Sequence, residues 1–295
     1  MSRRPCILAL RALAGAVVLA AVAAAPAGAT WSLVAVDPGT GEVGAALASC
    51  VPPSILGRPT APLVPIVLVP GQGAAVTQGE LNLTAPDRII ELLGAGAAPG
   101  AIVEDLVRPE FDVAAPTRQH AVVSTAGAAA YTGTELSPQA LDRQGDDVSA
   151  QGNLLVSNAV ITAALAAFED TQSGGGDLRD ALVAGLVAGA AQGGDRRCPD
   201  QTALFAQVAV ASPGDDPERP TTLVTVTVDQ GDGQNPVTLL ADAVAEGRTG
   251  LIEAGTDESG LGRVVQIGAL LAATAMAVGG VLLVRRGLGS TRARR

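Results

Sequence analysis

The stretch Ala27-Gly28-Ala29-Thr30-Trp31-Ser32-Leu33-Val34-Ala35-Val36 is where the chain changes character. Upstream, Met1-Ser2-Arg3-Arg4 is a short cationic start, and Ala12 to Ala25 is an unbroken apolar run. Pro26 breaks that run, and Ala27-x-Ala29 supplies the small residues that a signal peptidase requires. Residues 1–29 therefore read as a secretory signal peptide. Cleavage after Ala29 leaves Thr30 with a free α-amine at the head of a strand, Thr30 to Val36. A hydroxyl nucleophile and a base then share one residue. An α-amine has a pKa near ~8, so a usable fraction is free base at neutral pH. It takes the proton from its own hydroxyl, directly or through a water, which is the N-terminal-threonine form of nucleophilic catalysis. The plainer reading stands beside it, because some residue must follow every cleavage site.

Composition narrows the partners. All 29 acidic residues lie between Thr30 and Arg263 against 11 arginines there, a formal charge of −18 for that body. Such a surface repels nucleic acid and anionic lipid and suits a self-repelling soluble domain. There is no lysine in the sequence, and aromatics are 2%, so the core must be built from Ala, Val, Leu and Ile with close glycine contacts. Cys6 leaves with the leader, and Cys50 and Cys198 remain. An even count in an exported chain reads as one disulfide, with two separately buried thiols as the alternative.

Downstream, Thr30 to Val36 and Glu42 to Ser49 flank the turn cluster Asp37-Pro38-Gly39-Thr40-Gly41, a strand–turn–strand hairpin. Ile66 to Val69 and Ala74 to Gln78 are short strands. Pro86 opens a helix through Leu93 with Ile89, Ile90, Leu92 and Leu93 as its apolar stripe, and a second helix follows Pro99. His120 to Ser124 and Ala128 to Thr132 form another hairpin, and Val148 to Asn153 a strand. Ala159 to Asp170 and Leu178 to Gln192 are long helices, the second with Gly185 and Gly189 permitting close approach. Thr202 to Ala211 and Thr221 to Val228 are β-branched strands, followed by a helix near Val237 to Glu246. Hairpins in place of strand–helix alternation predict an α+β fold of two mainly antiparallel sheets between helix layers. The domain is expected over residues 30–247, with a Gly- and acid-rich stalk at 248–263. Val264 to Val284 is 21 uncharged residues, long enough to span a bilayer. Arg285-Arg286 and further arginines in the tail, 285–295, place that tail in the cytoplasm and the body outside. The expected location is a cell membrane, single-pass, with the main domain extracytoplasmic.

The opening Thr30-Trp31-Ser32-Leu33-Val34-Ala35-x-Asp37-Pro38-x-Thr40-Gly41-Glu42-x-Gly44 resembles that of the domain-of-unknown-function 1028 family. That family is assigned to the N-terminal nucleophile (Ntn) hydrolase superfamily. The similarity continues through Gly73-Ala74-x-x-Thr77-Gln78, Gln151-Gly152-Asn153-Leu154-Leu155, Gly193-Gly194-Asp195-Arg196-Arg197 and Gln201-Thr202-Ala203. The resemblance implies an αββα sandwich with Thr30 as the nucleophile. In many relatives this Thr directly follows the initiator Met. The sequence departs from the family at Cys50, where a Lys or His commonly stands, and at Cys198, where a Gly does. Two departures, both to cysteine, imply that the family's two loops lie side by side near the nucleophile and are stapled by one bridge.

An acyl-transfer site also needs oxyanion donors and something to tune the amine. Asn153 is the candidate donor, or else an Asn fixing a turn. With lysine missing, Arg196 or Arg197 would have to supply positive charge, and only electrostatically. Asp195 would pair with the new amine or with an Arg, and the whole of Asp195-Arg196-Arg197 also reads as a loop held by its own ion pairs. Thr77 and Gln78 are candidates for the pocket lining, or are simply buried. His120, the lone histidine, reads as structural. No zinc pattern and no phosphate-binding glycine motif is present, so no cofactor or metal is expected. Two functions fit. One is a membrane-anchored Ntn-type amidohydrolase acting on a small amide or a cell-wall peptide. The other is a non-catalytic extracytoplasmic binding domain on the same fold, with the cell wall as its candidate associate. Nucleic acid is excluded as a partner under both.

Overall fold

A computed structural model describes residues 30–51, 60–63, 65–137, 139–256 and 262–266. The expected signal peptide, 1–29, and the cytoplasmic tail lie outside the described residues, as do positions 267–284 of the expected membrane span. Among the described residues no helix is long and apolar enough to cross a membrane.

Among the described residues twelve strands form two sheets. The larger sheet contains β1 (Thr30–Val36), β2 (Val43–Ser49), β7 (Leu141–Gln144), β8 (Val148–Asn153), β9 (Phe205–Ala211), β10 (Thr222–Val228), β11 (Gly250–Thr256) and β12 (Gly262–Gln266). Its spatial order is β12-β11-β10-β9-β2-β1-β8-β7. The smaller contains β3 (Ile66–Val69), β4 (Gly73–Gly79), β5 (Arg118–Ser124) and β6 (Gly127–Thr132), in that order. Every adjacent pair is antiparallel except β10 with β11. The α+β expectation holds at this level.

Strand alternation sorts β1 into two faces. Trp31, Leu33 and Ala35 pack outward against the helices α3 (Ala159–Ser173) and α4 (Leu178–Ala191), while α5 (Pro236–Ala245) covers β9 and β10 on the same side. Val34 and Val36 face the smaller sheet and join Val43, Ala45, Leu47, Val76, Ala121 and Val123 in the layer between the sheets. The far side of the smaller sheet is covered by α1 (Ala85–Gly94) and α2 (Pro99–Leu106). In α1 the buried pair is Ile89 and Leu93, one turn apart, whereas Ile90, expected in the stripe, is exposed.

Two expectations change. Gly250–Thr256 was expected in a stalk but pairs with β10, burying Ile252 and Ala254, and β12 then pairs with β11. Two buried apolar residues among Gly, Glu and Thr give too faint an alternation to announce a strand. The β12 range also takes in Val264 to Gln266, the start of the expected membrane span. β7 was not expected at all, because an edge strand reading Leu-Asp-Arg-Gln carries no apolar alternation.

Trp31 is the largest fully buried side chain among the described residues. Its indole rests on Gly189 of α4, where a Cβ would lie 2.7 Å from Trp31 Nε1. At Gly194 (φ +57°) a Cβ would lie 2.8 Å from Trp31 Cη2. Helix propensity favours alanine at position 189 by about 1 kcal/mol, but overpacking a full core costs about 1–3 kcal/mol. Gly189→Ala is therefore expected to lower unfolding free energy by about 1 kcal/mol despite the better helix former, as read by urea denaturation.

Candidate active site

The polar end of the inter-sheet layer is built by strand parity. On β1, Thr30 and Ser32 share the inward face of Val34. On β8 that face carries Ser149, Gln151 and Asn153. Register sets Thr30 between Ser49 of β2 and Asn153 of β8. From the opposing sheet come Gln78 and Gln119, which are register partners on β4 and β5. All these side chains are buried, Thr30 at 4% exposure.

Their hydrogen bonds run one way. Ser149 Oγ donates to Gln151 Oε1 at 2.9 Å, and Gln151 Nε2 donates to Ser32 Oγ at 2.7 Å. Ser32 Oγ donates to Gln78 Oε1 at 2.8 Å, and Gln78 Nε2 donates to Gln119 Oε1 at 2.7 Å and to the Thr30 carbonyl at 3.3 Å. Gln119 Nε2 donates to Thr132 Oγ1 at 2.9 Å, and Thr132 Oγ1 to Asp142 Oδ2 at 2.5 Å. Thr30 Oγ1 donates to Ser49 Oγ at 3.2 Å, an oxygen that also accepts from the Val51 amide at 3.1 Å. Among the described residues the Thr30 hydroxyl meets that of Ser49, and the carboxamides of Gln78 and Asn153 lie in the same buried layer.

The charged pair sits one residue along β2. Asp195 is fully buried and accepts from the Cys50 amide (2.9 Å), the Arg197 amide (2.9 Å), Arg197 Nε (3.2 Å) and Arg197 Nη2 (2.8 Å). Its carboxylate is taken up by Arg197 and the Cys50 backbone, the ion-paired of its two sequence readings. Cys50 and Cys198 form a disulfide with Cα atoms 6.1 Å apart, tying the end of β2 to this loop. The loop resemblance that implied the bridge is therefore matched by the structure. Two non-glycine residues with positive φ border the region, Leu154 (51°) directly after Asn153 and Thr202 (63°), whose carbonyl accepts from the Asp195 amide at 3.0 Å. Such backbone costs about 1–3 kcal/mol per residue and collects at functional sites.

Of the residues singled out from sequence, Thr30, Asn153 and Gln78 come together, with Asp195 and Arg197 adjoining through Cys50. Two do not join them. Arg196 is exposed and its Nη1 meets Gln139 Oε1 at 3.3 Å, so Arg197 is the guanidinium beside Asp195. Thr77 shares the face of Ala75, toward α1 and α2, and pairs in register with His120. One residue of parity separates it from Gln78. Ser49, Ser32, Gln119 and Gln151 were missed. A signal for them existed, since polar residues at alternate positions of apolar strands face a buried layer. Clefts among the described residues elsewhere include an apolar one of about 440 Å³ beside Leu63, Leu83 and Ile90 and another of about 280 Å³ beside Asp37, Asp146 and Asp147. Among the described residues no group of His, Cys, Asp and Glu is arranged to hold a metal.

The two-sheet α+β fold with this buried polar centre defines a class, and sequence comparison then gives the family. The pattern of the family of unknown function DUF1028 matches residues 30–240, and the chain belongs to that family. The crystal structure of protein SPO2555 from Silicibacter pomeroyi, itself assigned to DUF1028, superposes with a TM-score of 0.58 at 24% identity. The match covers 75% of this chain and 90% of that one, and it shows a shared fold. No functionally curated protein matches the chain.

Two predictions concern groups around the site. The bridge closes a loop spanning a sequence separation of 148. In the chain-entropy treatment such a closure contributes about 4–5 kcal/mol. The Cys50→Ser/Cys198→Ser double variant is expected to lose an amount of that order in denaturant unfolding. His120 is the second case. Neither ring nitrogen has a partner among the described residues, and burial pushes the imidazole down to about 4, opposed by Asp112 and reinforced by Arg118. The unfolded chain protonates this histidine near its ordinary ~6.5, whereas the folded chain does so only near 4. Its contribution is full above about pH 6.5 and declines toward pH 4, by about 3 kcal/mol in all. His120→Leu is expected to flatten the urea midpoint across that interval.

Proposed function

We propose that the chain is an exported Ntn-hydrolase-like protein, anchored through its C-terminal apolar segment, that cleaves amide bonds with Thr30. The observation that carries this reading is the placement of Thr30. It opens β1, lies in the inter-sheet layer with its hydroxyl on Ser49, and has Asn153 directly across in register. The family match beginning at residue 30, where the expected leader ends, supports it. So does the layering of helices outside two facing sheets.

On this reading, removal of residues 1–29 converts the Thr30 nitrogen from an amide into an amine. The Thr30 Oγ1 proton passes to that amine as Oγ1 bonds to the substrate carbonyl carbon. Asn153 Nδ2 gives one N–H to Gln119 at 3.2 Å and uses the other for the oxyanion. The amine then protonates the leaving nitrogen as the C–N bond breaks, leaving an ester on Thr30. Water, deprotonated by the same amine, hydrolyses that ester and restores the hydroxyl. Arg197, held by Asp195 next to Cys50, contributes positive potential without moving a proton. Substrates of this shape are a small amide or a peptide of the cell wall.

Two measurements decide. N-terminal sequencing of the exported protein is expected to begin at Thr30, and a start at Ala27 or Trp31 removes the mechanism. An electrophilic β-lactone is expected to label the processed protein once per chain, with labelling abolished in Thr30→Ala. A folded, processed protein that takes no label is a binding module.

A further inference from the structure

Asn153 is fully buried, and its Oδ1 has no hydrogen-bond partner among the described residues. Which atom of the amide is oxygen follows from the surrounding network. Gln119 Nε2 rests on the main-chain carbonyls of Gly152 at 3.0 Å and Leu141 at 3.1 Å, groups that only accept. Gln119 must therefore present Oε1 to its remaining neighbours. One of these is Gln78 Nε2, which is itself pinned by the Thr30 carbonyl. The other is Asn153, whose nitrogen turns to Gln119 and whose oxygen turns away. A buried amide oxygen left bare costs about 1–3 kcal/mol, so the site lacks a donor.

Register identifies that donor. The Val36 amide donates to the Asp147 carbonyl at 3.0 Å, and in an antiparallel ladder such hydrogen-bonded pairs recur at every second residue. Counting back along β1 and β8, Thr30 and Asn153 are also such a pair, which turns the Thr30 nitrogen toward β8. The Thr30 hydroxyl goes the other way, to Ser49 on β2. A peptide nitrogen has a single hydrogen, and the ladder takes it. A freed α-amine has more, and the bare acceptor opposite it is Asn153 Oδ1.

We propose that Asn153 is a positioning residue, its Oδ1 accepting a hydrogen bond from the uncovered α-amine of Thr30 and turning the amine's lone pair toward the Thr30 hydroxyl. This rests on the N-terminal-threonine reading and deepens it. Asn153 then serves both ends of the reaction centre, with Nδ2 toward the oxyanion and Oδ1 toward the base. The neutral amide orients the amine without adding the full negative charge that would hold it protonated.

The test exploits the absence of lysine, which makes the Thr30 α-amine the single primary amine of the mature protein. A full-length chain carrying a specific protease site directly ahead of Thr30 is cut to expose that amine, with residues 30–295 retained. Competitive acetylation with acetic anhydride across pH, read by mass spectrometry, then yields the amine pKa. Asn153→Asp, isosteric but charged, is expected to raise it by about one unit or more, and Asn153→Leu to lower it. Unchanged values in both variants overturn the proposal. If one variant fails to unfold cooperatively, the other decides alone. Natural processing is read separately, by the N-terminal sequence of the exported protein, so a leader cut elsewhere defeats the enzymatic reading and leaves this geometry to be judged on the titration.

Discussion

The polar contact between the two sheets centres on the carboxamide of Gln119, with Gln78 beside it. Gln119 stands on the smaller sheet and donates across the interior to the Leu141 and Gly152 carbonyls of the larger. Its oxygen gathers the nitrogens of Gln78 and Asn153. Each such bond nets only about 1 kcal/mol, but withdrawing Gln119 would strand several buried partners at once. Much of the remaining inter-sheet layer is apolar and carries no directional bonds of this kind. These amides give the two sheets a defined offset, and the offset decides what faces Thr30.

Separation of charge is the second constraint. The polar chain through Ser149, Gln151, Ser32, Gln78 and Gln119 contains no ionised group until it reaches Asp142 at the edge. The Asp195–Arg197 pair is kept on the loop side of Cys50, where main-chain amides satisfy the carboxylate. A buried charge without partners would cost several kcal/mol, and both ions have partners here. The disulfide fastens that loop to the end of β2, next to Ser49.

Much of this was legible from particular residues. The hairpin at Asp37-Pro38-Gly39, the Pro86 and Pro99 helix starts and the strand ending at Asn153 carry local signals that the fold obeys. Thr30 and Asn153 were found because each ends a strand and bears the right functional group. Thr77 is buried on the face opposite Gln78, the plainer of its two readings, and a seven-residue strand buried throughout gives no alternation from which to read parity. Gln119 and Ser49 were overlooked for a related reason. Alternation marks both as facing a buried layer, but the partners of Gln119 across that layer, Leu141 and Gly152, have no local signature. β11 and β7 escaped because edge and near-edge strands need little apolar surface.

The clamp on Trp31 has a mechanical consequence. The first residues of a domain ordinarily fray, since nothing upstream restrains them. Here the second residue of β1 is a large ring wedged against the backbone of Gly189 and Gly194. A chain cut immediately ahead of that wedge would have a tip that hardly sweeps, so little orientational entropy would remain to be lost when a reactant arrives.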